Sequence, residues 1–171
     1  MSDIKRIDTA DLRELVAQAA ANPRRRKNFN VHDSPADPVQ RFLNAFEPGT
    51  YIRPHRHPDK WELFVLLQGE AIAFVFDENG RVLDRADLND TGSGVRVVEI
   101  PAGAWHSLVS LTSGTVLFEV KRGPYDPAAP AEYASWSPAE ADPSAAAFER
   151  RLRGARIGEL LVPANQDTHS D

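Results

Sequence analysis

Short stretches in which apolar and polar residues alternate, broken by turn residues, fill the middle of this chain from about residue 28 to residue 121. Alternation with period two marks strands whose successive side chains point to opposite faces. It predicts strands near 28–32, 39–46, 51–57, 62–67, 70–76, 81–85, 95–100, 105–111 and 115–121. The breaks between them carry turn chemistry. Gln68-Gly69-Glu70 and Asp77-Glu78-Asn79-Gly80 read as hairpins, 86–94 as a polar loop, and Thr112-Ser113-Gly114 as a tight turn. About eight or nine antiparallel strands in this order predict an all-β protein built as a jelly roll.

The flanks follow a different period. Leu12, Leu15, Val16, Ala19 and Ala20 form a helical stripe that predicts a helix over 9–22, capped by Thr9 and stopped by Asn22-Pro23. Arg24, Arg25, Arg26 and Lys27 follow, read either as a solvated linker or as an anion clamp at a pocket mouth. Past Pro127 the composition turns to Ala, Pro and Glu, so 128–143 reads as an extended wrap without its own core. Ser144 is positioned to cap a short helix carrying Ala147, Phe148 and Leu152 and ended by Gly154, with Ile157, Leu160, Leu161 and Val162 as a last apolar contact. The organisation is therefore 1–27 (helix and basic linker), 28–127 (barrel) and 128–171 (wrap, short helix, polar tail). Helices this short are marginal alone in water, so both flanks are expected to pack on an outer apolar face or a partner subunit.

Composition narrows the class. A chain of 171 residues fits one domain with a sizeable core, and a formal net charge of −5 argues against a nucleic-acid surface. No cysteine is present, which removes disulfides and thiolate metal sites. No apolar run approaches a membrane span and no secretory h-region opens the sequence, so a cytoplasmic protein is expected.

The candidate chemistry lies in 49–69, where His55 and His57 are one residue apart on a predicted strand and point the same way. Glu62 follows after the Pro58-Asp59-Lys60 turn, and Pro101-Ala102-Gly103-Ala104-Trp105-His106 supplies a third histidine. Three imidazoles and a carboxylate suit one divalent transition-metal ion, with iron, manganese, zinc and nickel all admissible. Glu62 has a second reading, as an acceptor that orients a histidine rather than a ligand.

Gly49, His55, His57, Glu62 and Gly69 stand at every fixed position of the first cupin motif, which this segment resembles. Pro101, Gly103 and His106 resemble the second cupin motif, with Gly94 one residue further upstream than that motif has it and Ser110 in place of its usual Asn. From about Arg26 to Pro127 the chain is similar to the WbuC-type family of cupin-fold metalloproteins. The resemblance rests on Asn28-Phe29-Asn30-Val31-His32, Asp37-Pro38-Val39-Gln40-Arg41, 53–58, 60–64 and 118–125. It implies a cupin-type jelly roll (a double-stranded β-helix barrel) with helical extensions, and a bound metal. It also implies an association with bacterial surface-polysaccharide biosynthesis, in a family without an established reaction.

Alternation assigns the inward faces: Tyr51, Arg53, His55 and His57 on one strand, Glu62, Phe64 and Leu66 on the next, His106, Leu108 and Ser110 on a third. On the last strand, Glu119 with Lys121 competes with Val116, Phe118 and Val120 for the interior. Arg53, His32 and Lys121 are the candidate substrate-binding residues; Glu62, Glu119 and Tyr125 are the candidate acid–base groups, Tyr125 also as a closure of the mouth. His32 reads first as a hydrogen-bonded structural residue, with the substrate-facing role as the alternative, and His169 in the polar tail as irrelevant. A positive Arg53 and Lys121 near a metal would take a small anionic or sugar-linked ligand. Three functions stay open: a Lewis-acid isomerase or epimerase, an Fe(II) cupin dioxygenase, and a non-catalytic sugar or anion binder. The outward Leu63, Val65 and Leu67 are too apolar for open solvent, which predicts a cover or a homodimer.

Overall fold

The computed structural model of the protein describes residues 4–91, 94–128 and 131–161. Val162 and His169 lie outside the described residues. Ten strands and two helices follow one another as α1 (Thr9–Ala21), β1 (Arg26–Asn30), β2 (Val39–Phe46), β3 (His55–Arg56), β4 (Glu62–Gln68), β5 (Glu70–Phe76), β6 (Val82–Asn89), β7 (Val97–Ile100), β8 (Trp105–Ser110), β9 (Thr115–Arg122), β10 (Glu132–Tyr133) and α2 (Ala145–Gly154). They build two five-stranded antiparallel sheets, β1-β2-β9-β4-β7 and β10-β3-β8-β5-β6, stacked as a jelly roll.

Period-two alternation sorts the side chains into three apolar layers. Phe46, Phe64, Leu66, Leu108 and Leu117 meet between the sheets. Leu43, Ala45 and Val116 turn outward from the first sheet and take Leu15 and Ala19 of α1. Ile72, Phe74, Phe76 and Val109 turn outward from the second sheet and are covered by Trp136, Phe148, Leu152 and Leu161. Both ends of the chain thus seal an outer sheet face. Burying side chains of this size contributes roughly 1.5–3 kcal/mol each.

Four local expectations are corrected. Asp8, not Thr9, caps α1: its carboxylate accepts from Ala10 and Asp11, and Asp11 returns the contact in a capping box. The expected loop 86–94 is strand as far as Asn89, because β6 pairs along its length with β5 and the backbone ladder outweighs its polar side chains. The expected strand 51–57 shrinks to His55–Arg56, since Pro54 and Pro58 offer no N–H to a ladder. The wrap contains β10, whose Tyr133 pairs with His55.

Two glycines shape the turns that place the site. Gly69 has φ +84, and a Cβ there would come within 2.8 Å of the Thr115 backbone, so the β4–β5 reversal admits only glycine. Gly103 has φ +78, and its N–H donates to the His57 carbonyl at 2.8 Å. That bond ties the loop before β8 to the end of β3.

Candidate metal centre

His55 and His106 are direct partners across the β3–β8 ladder, so their side chains enter the barrel from the same face of one sheet. Glu62 enters from the first residue of β4 in the opposite sheet. One ligand-type atom from each of His55, Glu62 and His106 lies within 4.8 Å of the others, a group that could hold a metal ion. His57 borders the group: its Nε2 is 3.2 Å from Glu62 Oε1, and its ring centroid is 5.5 Å from that of His55.

The backbone sets the tautomers. His55 Nδ1 is 2.9 Å from the Arg53 carbonyl and His106 Nδ1 is 3.0 Å from the Ala104 carbonyl. A carbonyl can only accept, so each Nδ1 carries a proton, and in that neutral tautomer a ring turns an Nε2 lone pair inward. His106 Nε2 and Glu62 Oε2 approach to 2.7 Å, yet both are buried and neither has a hydrogen-bond partner. With a single ring proton, on Nδ1, the short approach joins two lone-pair bearers; with a second, Nε2–H donates to the Glu62 carboxylate. Such an arrangement fits a cation. Burial, and after it the neighbouring His106, push His55 down to about 3, which keeps that ring neutral near pH 7.

A cavity of about 170 Å³ opens beside this group, lined among others by Arg26, Asn28, Asn44, Ile52, Glu119 and Lys121. Lys121 Nζ bridges Glu62 Oε1 at 3.0 Å and Glu119 Oε1 at 2.8 Å, and Asn44 Nδ2 donates to Glu119 Oε2 at 2.7 Å. Burial would raise the Glu62 carboxyl, but the contacts from His106 and His57 and the Lys121 charge hold it well below the usual carboxylate range. For Glu119 burial prevails over Lys121 and its carboxyl is raised. Burial opposes the Lys121 ammonium, yet the charges of Glu119 and Glu62 keep its proton on more firmly than usual. The even residues of β9 face outward, so the interior position falls to Glu119 and Lys121.

Five expected residues make their contacts elsewhere. Arg53 faces away from the cavity because the chain leaves the ladder ahead of Pro54. It donates from Nε to Ser137 Oγ at 3.2 Å and from Nη2 to the Ala134 and Ser137 carbonyls at 3.0 and 3.2 Å, which anchors the wrap. Tyr51 likewise turns to the wrap, giving its hydroxyl to the Pro138 carbonyl at 2.9 Å. Tyr125 is 59% exposed, is held through its backbone to Pro35 and does not line the cavity beside the metal-type group. His32 is buried, with Nδ1 3.1 Å from the Arg41 amide and its ring edge-on to Phe42 at 4.9 Å; it fastens the end of β1 to β2. Ser110 spends its hydroxyl on the Thr112 carbonyl at 3.0 Å.

From the basic run read as a linker or an anion clamp, the Arg26 guanidinium reaches the cavity wall while bonded to the Tyr51 carbonyl at 2.6 Å and Glu140 at 3.0 Å. Two residues escaped the sequence reading: Asn44, which fixes Glu119, and Tyr133. The Tyr133 ring lies 6.2 Å from that of His55, with the Arg53 guanidinium 5.2 Å over it. Nothing in the sequence signalled Asn44 or Tyr133, since strand register places each of them.

Residues 7–88 match the family model described as a domain of unknown function (DUF6016). No curated protein matches the chain. Solved structures similar to it include KdgF from Halomonas sp., at 16% identity over 59% of this chain and 82% of that one with TM-score 0.46. TT1209 from Thermus thermophilus is 25% identical over 66% of this chain and 93% of that one, TM-score 0.48. A cupin superfamily protein from Desulfitobacterium hafniense is 22% identical over 57% and 75%, TM-score 0.42. Among the described residues no helix is long and apolar enough to cross a membrane.

Proposed function

We propose that the protein is a metal-dependent cupin enzyme of the WbuC type that moves a proton on a small anionic, sugar-linked molecule, in the manner of an isomerase or epimerase. His55, Glu62 and His106 would hold one divalent ion, with His57 as a further candidate. The observation that carries the reading is the convergence of two inward Nε2 atoms and a carboxylate oxygen within 4.8 Å of one another. Bound there, iron, manganese, zinc or nickel would supply Lewis-acid polarisation of a carbonyl or hydroxyl oxygen.

The chain's own residues supply the rest. A cavity of about 170 Å³ takes only the reacting end of a ligand, leaving the remainder outside. Lys121, between two carboxylates, presents an ammonium to an oxygen that gains negative charge. Burial raises the Glu119 carboxyl and Asn44 fixes it, so it can give and take a proton at a held position. A divalent charge and Lys121 against Glu62 and Glu119 leave one net positive charge, which favours an anionic ligand. The sugar-linked part rests on the resemblance of 26–127 to the WbuC family.

The test is solvent-deuterium incorporation into a panel of sugar phosphates and nucleotide sugars incubated with metal-loaded protein in D₂O. Exchange that disappears in Glu119→Gln supports the reading. Tight binding without exchange would make the protein a binder, and oxygen consumption in place of exchange would make it a dioxygenase.

A further inference from the structure

One sheet ends in β1 and the other in β10. Arg26 of β1 lines the cavity, with 21% of its side chain exposed. Tyr133 of β10 pairs with His55, which pairs with His106, so Tyr133 continues that inward row to the sheet edge. It is 56% exposed and within electrostatic range of Arg24 and Arg26, so the two edges meet here. The charges at this meeting do not balance. Arg24 holds both oxygens of Glu140, at 2.6 and 2.7 Å, and Arg26 Nη2 shares the second at 3.0 Å, so one carboxylate serves two guanidiniums. Arg26 Nη1 goes to the neutral Tyr51 carbonyl, and its Nε has no partner among the described residues. Arg53, 5.2 Å over one face of the Tyr133 ring, donates only to neutral groups of Ser137 and Ala134. Glu132, the neighbour of Tyr133, is taken by Arg56. Three guanidiniums and one carboxylate thus stand about a half-open aromatic ring.

We propose that this edge is a ligand subsite outside the cavity, in which a sugar ring lies against the open face of Tyr133 and its phosphoryl or carboxyl group is taken by Arg26. The subsite rests on the function proposed above and gives a place to the part of the ligand that the cavity does not hold. The rings of His55 and Tyr133 are 6.2 Å apart, so a ligand that reaches the metal centre from this edge passes over Tyr133. The negative face of an aromatic ring suits the C–H bonds of a sugar. Lys121 already bridges Glu62 and Glu119, which leaves a permanent ligand charge to Arg26. The Nε–H and Nη2–H of a guanidinium form a fork that matches two phosphoryl or carboxyl oxygens. Arg26 Nε is free, and Nη2 becomes so when Glu140 gives way to the ligand and keeps its bidentate hold on Arg24. Glu140 is therefore the ligand's competitor.

The experiment is isothermal titration calorimetry of the metal-loaded full chain with glucose 1-phosphate, glucuronate, glucose and inorganic phosphate. At least one of the two sugar anions should bind about tenfold or more tighter than glucose or phosphate, and the tighter of them tells phosphoryl from carboxyl. Arg26→Met should weaken that binding by about tenfold or more, and Tyr133→Ala, at an exposed position that leaves the fold intact, by about two- to tenfold. Glu140→Gln should tighten it by about twofold or more, a gain that a residue merely bracing the wrap would not give. Sugar anions that bind no better than glucose and phosphate overturn the proposal. So does binding indifferent to Arg26→Met or to Tyr133→Ala, or a Glu140→Gln variant that fails to tighten it. Failure of the proposed function reads differently: Arg26-dependent binding in a chain that takes up no metal, or without solvent-deuterium exchange, keeps the subsite and removes the metal-dependent reaction.

Discussion

Glu62 Oε2 and His106 Nε2 stand 2.7 Å apart in the interior, and neither has a hydrogen-bond partner. A buried acceptor left unpaired costs about 1–3 kcal/mol. The Nδ1–H bond to Ala104 leaves Nε2 facing the carboxylate, where a second ring proton or a bound cation can lie between them. A metal ion held there should appear as added stability.

Chelation should destabilise the protein. At free metal about 100 times its dissociation constant, binding adds roughly 2.7 kcal/mol, or about 5–10 °C in Tm for a chain of this size. Differential scanning calorimetry with and without EDTA reads the shift directly. Equal melting temperatures would contradict a metal held by the native state.

Lys121→Met should lower the stability of the metal-free protein by about 3–5 kcal/mol, because Glu62 and Glu119 would face each other without the ammonium that bridges them. The loss should be smaller with metal bound, since a cation beside Glu62 replaces part of the missing charge. Urea titrations of both forms measure the two losses. A deficit under about 1 kcal/mol would mean that the bridge contributes little.

Arg53→Ala should leave metal content unchanged and loosen the wrap. Its guanidinium holds Ala134 and Ser137, and the wrap in turn covers Phe76 with Trp136 at a ring separation of 5.2 Å. Limited proteolysis should cut faster near 134–144, with a stability loss of roughly 1–3 kcal/mol. Loss of metal with an intact wrap would return Arg53 to the site.

Acid should act through His55 in the chelated protein. Its folded value is pushed down to about 3, below the ordinary 6.5, so the unfolded chain takes up a proton that the native ring refuses. That contribution is complete above about pH 6.5 and is lost as pH falls toward 3, at up to about 1.4 kcal/mol per pH unit. Glu62, held low, loses its own contribution only below about pH 4.5. Tm measured between pH 6.5 and 4.5 should therefore fall in the wild type and fall less in His55→Gln; an unchanged slope in the variant would remove His55 as the cause.

The strands and the histidine pair were legible because period-two alternation and Pro/Gly punctuation are local signals. His55, Glu62 and His106 could be brought together on paper once each strand had a face. Arg53 failed for a local reason: alternation was carried back through Pro54, where the ladder is not formed, and two residues off the ladder are enough to point a side chain the other way. Tyr133 and Asn44 could not be read, since the first depends on a two-residue strand arriving from the wrap and the second on the β2–β9 register. The choice between Glu119 and Val120 as the inward set was undecidable from β9 alone, which is apolar on one side and half-apolar on the other. The α1 contact with Val116 decides it.

The most direct measurement is elemental analysis by inductively coupled plasma mass spectrometry of protein purified without added metal, wild type beside the His55→Ala, His106→Ala double variant. The account predicts close to one divalent transition-metal ion per wild-type chain and a near-complete loss in a variant that still folds. Metal retained in that variant, or a wild type that carries none and takes up none on incubation with iron, manganese, zinc or nickel, would contradict it.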